Sequence, residues 1–224
     1  RRGELGFENR LLFRLKADMA NFRKVTAKTP LVMGRKTWES FPKRPLPGRP
    51  NIVATRNLDF LAPGAFVFSS LPPALAAART MAAQSGIPEV SIIGGAEIYA
   101  AGLAVATHMT LTDVEAEREA DVFFPAFDRR AWREVSATRI EADADNEVAC
   151  VIRELERRSR LAAWRLRAMG LEPGDRVLTW SPSMPELAAA YFGAMRARLV
   201  YVPLDLRMSV EAVEAIVRTS ESSH

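Results

Sequence analysis

Residues 90–99 read Val90-Ser91-Ile92-Ile93-Gly94-Gly95-Ala96-Glu97-Ile98-Tyr99. A short apolar run ends at paired glycines, and a helix-compatible segment begins directly after them. This is the strand–turn–helix pattern of a parallel sheet, with the turn at the carboxyl end of a strand. Working outward, Leu31-Val32-Met33-Gly34-Arg35-Lys36-Thr37 repeats it as a strand, one glycine, a pair of cations and a helix start. Glycine lets a ligand approach the backbone, and helix-start amides beside cations suit a phosphate. Such turns, repeated in one sheet, point to a nucleotide diphosphate along the carboxyl edge of the strands. Another cation, Arg56, follows the strand end at Thr55. Neither glycine turn completes a GxGxxG or Walker pattern, so a plain turn with solvated cations stays open for each.

The same alternation extends to both sides. Asn51–Ala54 and Phe66–Phe68 read as further short strands, and Lys16–Thr26 has apolar residues at mostly helical spacing. Leu71–Gln84 is an Ala-rich helix that tolerates Pro72 and Pro73 in its first turn. Met109–Glu117, Trp132–Ile140 and Val148–Leu155 follow as strands, with Asp143–Asn146 as the turn before the last. The predicted fold is α/β: a mostly parallel mixed sheet with flanking helices and a C-terminal antiparallel hairpin. After residue 158 the texture changes. Helices are predicted over Leu161–Met169, Pro185–Arg198 and Ser209–Arg218, the last capped by Ser209, with strands over Arg176–Trp180 and Leu199–Pro203. This second α/β segment of about 60 residues is marginal as an independent domain.

The chain has 224 residues, 48% hydrophobic and 26% charged, which excludes collagen-like and disordered classes. Its formal net charge is +4 and no Lys/Arg run exceeds two, so no nucleic-acid partner is expected. A single Cys150 excludes an intrachain disulfide, and with only His108 and His224 no thiolate or imidazole metal cluster is expected. A cytoplasmic location is the natural reading, with no membrane span and no signal peptide visible. The chain opens Arg1-Arg2-Gly3, without Met, as a fragment or processed form would.

Asp18 is the carboxylate of interest. It lies near the start of the Lys16–Thr26 helix, with apolar Met19 and Phe22 as neighbours. Its position alone leaves two readings: a desolvated acid/base or anchoring group, or an acidic residue favoured by the helix dipole.

Taken together and in order, several segments resemble bacterial dihydrofolate reductase. They are Leu15-Lys16-Ala17-Asp18-Met19-Ala20-Asn21-Phe22, Val32-Met33-Gly34-Arg35-Lys36-Thr37-Trp38-Glu39-Ser40 and Arg44-Pro45-Leu46-Pro47-Gly48-Arg49-Pro50-Asn51-Ile52. Ile93–Tyr99, Leu111-Thr112-Asp113-Val114 and the closing Leu155-Glu156-Arg157-Arg158 complete the match over residues 3–158. The resemblance implies NADPH-dependent reduction of 7,8-dihydrofolate to tetrahydrofolate. It makes Asp18 the carboxylate that holds the pterin and favours protonation of its imine nitrogen, and Thr112 the hydroxyl that orients Asp18. Met19, Phe22, Phe41 and Leu46 match apolar substrate walls, and Arg49 matches the residue that pairs with the substrate α-carboxylate. Leu5, Arg35, Lys36, Thr37, Thr55, Arg56, Gly94, Gly95, Ala96, Ile98 and Tyr99 match cofactor-binding positions, Arg56 reading a 2′-phosphate. Trp38 and Trp132 read as structural. Antifolates such as trimethoprim or methotrexate are implied ligands, and a monomer is expected.

Departures from the pattern carry expectations of their own. Phe13 stands where many bacterial relatives carry Trp, and Lys16 replaces a common Pro. The family's first strand has no counterpart, and Gly3–Asn9 reads as the loop that follows it. Activity is then in doubt, with a folate- and NADPH-binding remnant as the alternative. Residues from about 160 to 219 resemble the start of an acyl-CoA synthetase or related AMP-binding, adenylate-forming enzyme. The resemblance rests on Gly170-Leu171-Glu172-Pro173-Gly174-Asp175, Pro182-Ser183-Met184-Pro185-Glu186 and Val202-Pro203-Leu204-Asp205. The phosphate loop of that family is missing, so adenylation is not expected. The implied division is 1–158 and 159–224. Three readings of the tail stay open: a weakly packed passenger, an interaction module, or the donor of a strand that fills the vacant sheet position.

Overall fold

The computed structural model describes residues 3–57, 59–181 and 185–219. Arg1, Arg2, His224 and the Pro182-Ser183-Met184 part of the tail motif lie outside the described residues. In chain order the elements begin with β1 (Glu4–Phe7), β2 (Arg10–Leu11), α1 (Lys16–Val25), β3 (Leu31–Gly34), α2 (Arg35–Ser40), β4 (Asn51–Ala54) and β5 (Phe66–Phe68). They continue with α3 (Leu71–Gln84), β6 (Ser91–Ile92), α4 (Ala96–Leu103), β7 (His108–Val114), β8 (Val122–Phe123), β9 (Trp132–Ile140) and β10 (Cys150–Arg157). The tail holds α5 (Arg158–Ala168), β11 (Arg176–Thr179), α6 (Pro185–Arg196), β12 (Val200–Pro203) and α7 (Val210–Thr219). These elements form two compact units: Arg1–Ala106 with Thr112–Phe127 and Thr138–Ile152, and Thr107–Leu111 with Asp128–Ala137 and Arg153–His224.

In the first unit a four-stranded parallel sheet has the order β5-β4-β3-β6. The apolar runs of β3 and β4 are continuous because both faces of this sheet are covered. Val32, Ile52 and Ala54 face Leu71, Ala74, Leu75 and Ala78 of α3. Leu31, Met33 and Val53 face the other way, against Trp38 and Ala62. That split is the period-two alternation of a strand. Each fully buried Ile or Val contributes roughly 1.5–3 kcal/mol. Small Ala residues at positions 74 and 78 let α3 lie close on the sheet. Trp38 and Trp132 are both buried, at 2% and 5% exposure, as structural residues would be.

The mixed α/β architecture matches the expectation. A second sheet, ordered β7-β10-β9, supplies the C-terminal hairpin between consecutive strands β9 and β10. The N-terminal segment needs correction. Gly3–Asn9, expected as a loop, contains strand β1, paired antiparallel with β2 and with β8. The turn between β1 and β2 is Glu8-Asn9, both at positive φ (47° and 60°), the conformation of a tight hairpin. No Gly marks that turn, so the pattern gave no hairpin signal. β1 belongs to the small β2-β1-β8 sheet, while β6 and β7 are end strands of their own sheets. The expected strand Val90–Ile93 is shortened to Ser91–Ile92.

In the second unit β11 and β12 pair in parallel with each other, and that two-stranded sheet contains no other strand. This overturns the idea that a tail strand enters the main sheet. Parallel pairing lets the tail bury its own core of Leu171, Ala194, Ala197 and Leu199 under Ala163, Leu166, Val177 and Tyr201. Gly193 lets α5 and α6 approach closely: a Cβ there would meet Ala162 Cβ at 2.6 Å. The predicted cap on α7 forms, with Ala212 N donating to Ser209 Oγ at 3.3 Å.

Candidate active site

Helix α1 is preceded by Leu15, whose side chain cannot cap it. The cap comes instead from the turn at 143–146. Ala17 N donates to Asn146 Oδ1 at 2.9 Å and Lys16 N donates to the Asp145 carbonyl at 3.1 Å. Asp143 Oδ1 fixes the turn by accepting from Asp145 N at 2.8 Å and Asn146 N at 2.7 Å. These bonds satisfy helix-start amides that would otherwise have no partner. They also seat Asp18 in the first turn of the helix.

Thr112 on β7 donates its hydroxyl to Asp18 Oδ1 at 2.5 Å. A short bond to an ionised acceptor fixes the carboxylate's orientation. Tyr99 on α4 feels the same carboxylate. Burial first, and the Asp18 charge second, push its phenol up to about 12. The Tyr99 ring packs against Phe124 with centroids 5.1 Å apart. Cys150 is fully buried, and its thiol is raised by burial, then by Asp18 and Glu115. Asp18 and Thr112 are thus directly hydrogen-bonded, and Tyr99 is near enough to feel the Asp18 charge.

The glycine turns meet directly, since Gly34 N donates to the Gly94 carbonyl at 2.7 Å. Gly94 has φ 122°, and a Cβ there would meet Thr37 Oγ1 at 3.2 Å and the Tyr99 ring at 3.4 Å. Gly95 precedes α4 and supplies no side-chain cap to its first amides. Arg56 reaches Glu97 at 3.4 Å, so the chain just past β4 adjoins this helix start. Arg35 pairs with Glu39 at 3.2 Å, Lys36 is exposed, and Thr55 Oγ1 accepts from Asn57 N at 3.2 Å. The two glycine turns thus meet beside Thr37 and Tyr99 and close to the start of α4. A side chain at position 94 would meet the Tyr99 ring, so Tyr99 adjoins this turn.

The substrate-wall residues divide between places. Phe22 lies one helical turn beyond Asp18 and is half-buried. Met19 lines an open cleft of about 700 Å³ with Leu11–Lys16, Arg23, Arg118, Asp145 and Glu147. Within it, Arg118 stacks over Phe13 at 4.7 Å and donates to the Leu12 carbonyl at 2.5 Å. Phe41 and Leu46 pack against the Leu31, Met33 and Trp38 cluster. Leu5 sits in β1, half-buried. Among the described residues no hydrogen bond or ion pair links Leu5, Phe41 or Leu46 to Asp18. Arg49 Nη1 donates both to the Thr26 carbonyl and to Thr26 Oγ1, each at 2.6 Å. Burial lowers its pKa, and its Nε is enclosed without a hydrogen-bond partner.

Asn146, Thr26 and Asn51 escaped the sequence reading. Asn51, 1% exposed, clamps the segment that carries Arg49 through bonds to the Leu46 and Arg49 carbonyls, each at 2.8 Å. The missing cap residue at Leu15 was the one available sign that α1 needs a distant partner. Among the described residues no helix is long and apolar enough to cross a membrane, and no group of three or more His, Cys, Asp or Glu could hold a metal ion.

A family model for dihydrofolate reductase matches residues 1–157, and one for AMP-binding enzymes matches residues 129–224. Dihydrofolate reductase of Neisseria meningitidis is 42% identical over 134 residues, covering 60% of this chain and 79% of that protein. Dihydrofolate reductase type 3 of Salmonella typhimurium is 38% identical over 153 residues, covering 68% and 90%. A solved structure of Enterococcus faecalis dihydrofolate reductase, complexed with NADP(H) and RAB-propyl, superposes with a TM-score of 0.62 at 31% identity, covering 70% of this chain and 90% of that one.

Proposed function

Because the chain belongs to the dihydrofolate reductase family, we propose that it reduces 7,8-dihydrofolate to 5,6,7,8-tetrahydrofolate with NADPH. The observation that carries this reading is the Asp18–Thr112 bond of 2.5 Å, with Tyr99 near enough for the Asp18 charge to raise its phenol. A fixed carboxylate and paired glycine turns in one unit suit a pterin and a dinucleotide side by side. NADPH, when bound, supplies the hydride that reduces the imine carbon of the substrate.

The chain's own residues do the rest. Asp18 holds the amidine-like edge of the pterin and favours a proton on the imine nitrogen. Thr112 keeps the carboxylate in that orientation. Met19, Phe22, Phe41 and Leu46 wall the ring system. Arg49 meets the α-carboxylate. Gly94, Gly95, Ala96, Ile98, Thr37 and Tyr99 hold the cofactor, with Leu5, Arg35, Lys36, Thr55 and Arg56 along its length. The division at 158/159, a cytoplasmic location, a monomeric state and binding of antifolates such as trimethoprim or methotrexate belong to the same reading.

A second reading, binding of folate and NADPH with little turnover, is favoured by one observation. β6, which leads to the glycine turn, and β7, which carries Thr112, end separate sheets. Steady-state NADPH oxidation separates the readings. Turnover that depends on dihydrofolate and falls at least a hundredfold in Asp18→Asn supports the reductase. Tight binding of both ligands without turnover supports the second reading.

A further inference from the structure

We propose that helix α5 docks on an anionic phospholipid surface: its outer apolar stripe enters the headgroup layer while the arginines on either side pair with lipid phosphates. The helix then lies along the bilayer and does not cross it. The inference concerns the second unit alone and does not depend on the reductase reading.

α5 has one covered face and one open face. On the covered side Ser159 is buried, Ala162 and Ala163 lie against Gly193 of α6, and Leu166 packs on the tail's own core. On the open side Leu161, Trp164 and Ala168 fall into one stripe at helical spacing. Trp164, midway along it, is 66% exposed. Arginines border the stripe on both sides: Arg158 and Arg165, two turns apart, on one, and Arg160 and Arg167, two turns apart, on the other. All four are exposed, and the chain from Arg157 to Leu171 contains no Asp or Glu. Arg160 pairs with Glu156 at 3.2 Å and touches the His108 ring, and Arg167 donates to the Ala197 carbonyl at 2.8 Å. The Arg158 and Arg165 side chains have no hydrogen bond or ion pair among the described residues. Their charge therefore remains for an outside anion. The two-sided pattern selects the occupant. A layer of headgroup phosphates offers anions to both flanks at once, with acyl chains beneath the stripe between them. Arg and Trp suit that boundary, because each joins an apolar body to a polar tip. An acidic protein segment laid along the helix would meet one flank and leave the other unmatched.

The test is co-sedimentation of the full chain with vesicles of phosphatidylcholine alone and of phosphatidylcholine and phosphatidylserine in equal parts. The chain should sediment with the mixed vesicles, less so as salt is raised, and stay in solution with the neutral ones. The double variant Arg158→Gln, Arg165→Gln should bind the mixed vesicles about thirtyfold more weakly, since each arginine near an anionic surface contributes about tenfold or less. Trp164→Ala should weaken binding roughly tenfold. These side chains point to solvent, so thermal melting of both variants should match the parent and confirm that they are folded. Failure to bind the mixed vesicles, or equal binding to both compositions, would overturn the proposal. Unchanged binding in both variants would overturn its assignment to α5. An oligo-glutamate peptide that binds the chain when mixed vesicles do not would overturn it in favour of an acidic protein partner.

Discussion

Raising the pH should test whether Asp18 and the glycine turn belong to one site. The Tyr99 phenol is pushed up to about 12 from an ordinary 10.0, by burial first and the Asp18 charge second. A raised pKa means that the folded chain holds the proton more tightly than the unfolded chain. The resulting stabilisation is fully present below pH 10 and is lost as pH climbs to about 12. Two pKa units correspond to roughly 3 kcal/mol. Urea unfolding at a series of pH values from 8 to ~11.5, with tyrosinate absorbance followed in parallel, measures both quantities. Tyr99→Phe should remove this part of the alkaline loss and identify the late-titrating phenol by difference. Asp18→Asn should move the Tyr99 midpoint down without returning it to 10, because burial remains the larger cause. A Tyr99 midpoint near 10 in the folded chain, or one that Asp18→Asn leaves in place, would refute the single-site geometry.

Two further outcomes follow from glycine positions. Gly94→Ala places a Cβ at φ 122° against Thr37 and Tyr99, a strain of about 1–3 kcal/mol. NADPH should then bind at least tenfold more weakly in a nucleotide-fluorescence titration, and an unchanged dissociation constant would contradict cofactor binding at this turn. In the tail, Gly193→Ala drives a methyl to within 2.6 Å of Ala162 Cβ and 3.0 Å of the Ala163 backbone nitrogen. Overpacking of about 1–3 kcal/mol should exceed the gain in helix propensity and lower the melting temperature by several degrees. A raised melting temperature would show that α5 and α6 are not in close contact.

Local signals in the sequence were enough for the strands of the parallel sheet and for α3. Leu31–Met33 and Asn51–Ala54 are buried on both faces, which writes an unbroken apolar run into the chain. α3 is bounded by Ser70 with prolines in its first turn, and by Ser85-Gly86 at its end. Local signals alone left Asp18 and the glycine turns with two readings each, and their site roles came from the resemblance of several segments taken in order. What escaped depends on partners far along the chain. Asn146 caps α1 from 129 residues away, and Thr26 holds Arg49 from 23 away. The β1–β2 hairpin escaped for another reason: Glu8 and Asn9 adopt positive φ without a glycine to announce it. Arg56, given a 2′-phosphate role by the resemblance, lies in an exposed ion pair with Glu97.

The central claim is that this chain moves a hydride from NADPH to dihydrofolate at the Asp18 site. The most direct test supplies the folded chain with NADPH deuterated at the transferring nicotinamide carbon, together with dihydrofolate, and examines the product by mass spectrometry. Tetrahydrofolate carrying one deuterium, formed by the parent chain and at least a hundredfold more slowly by Asp18→Asn, is the predicted result. Absence of labelled tetrahydrofolate from a chain that binds both ligands would contradict the claim.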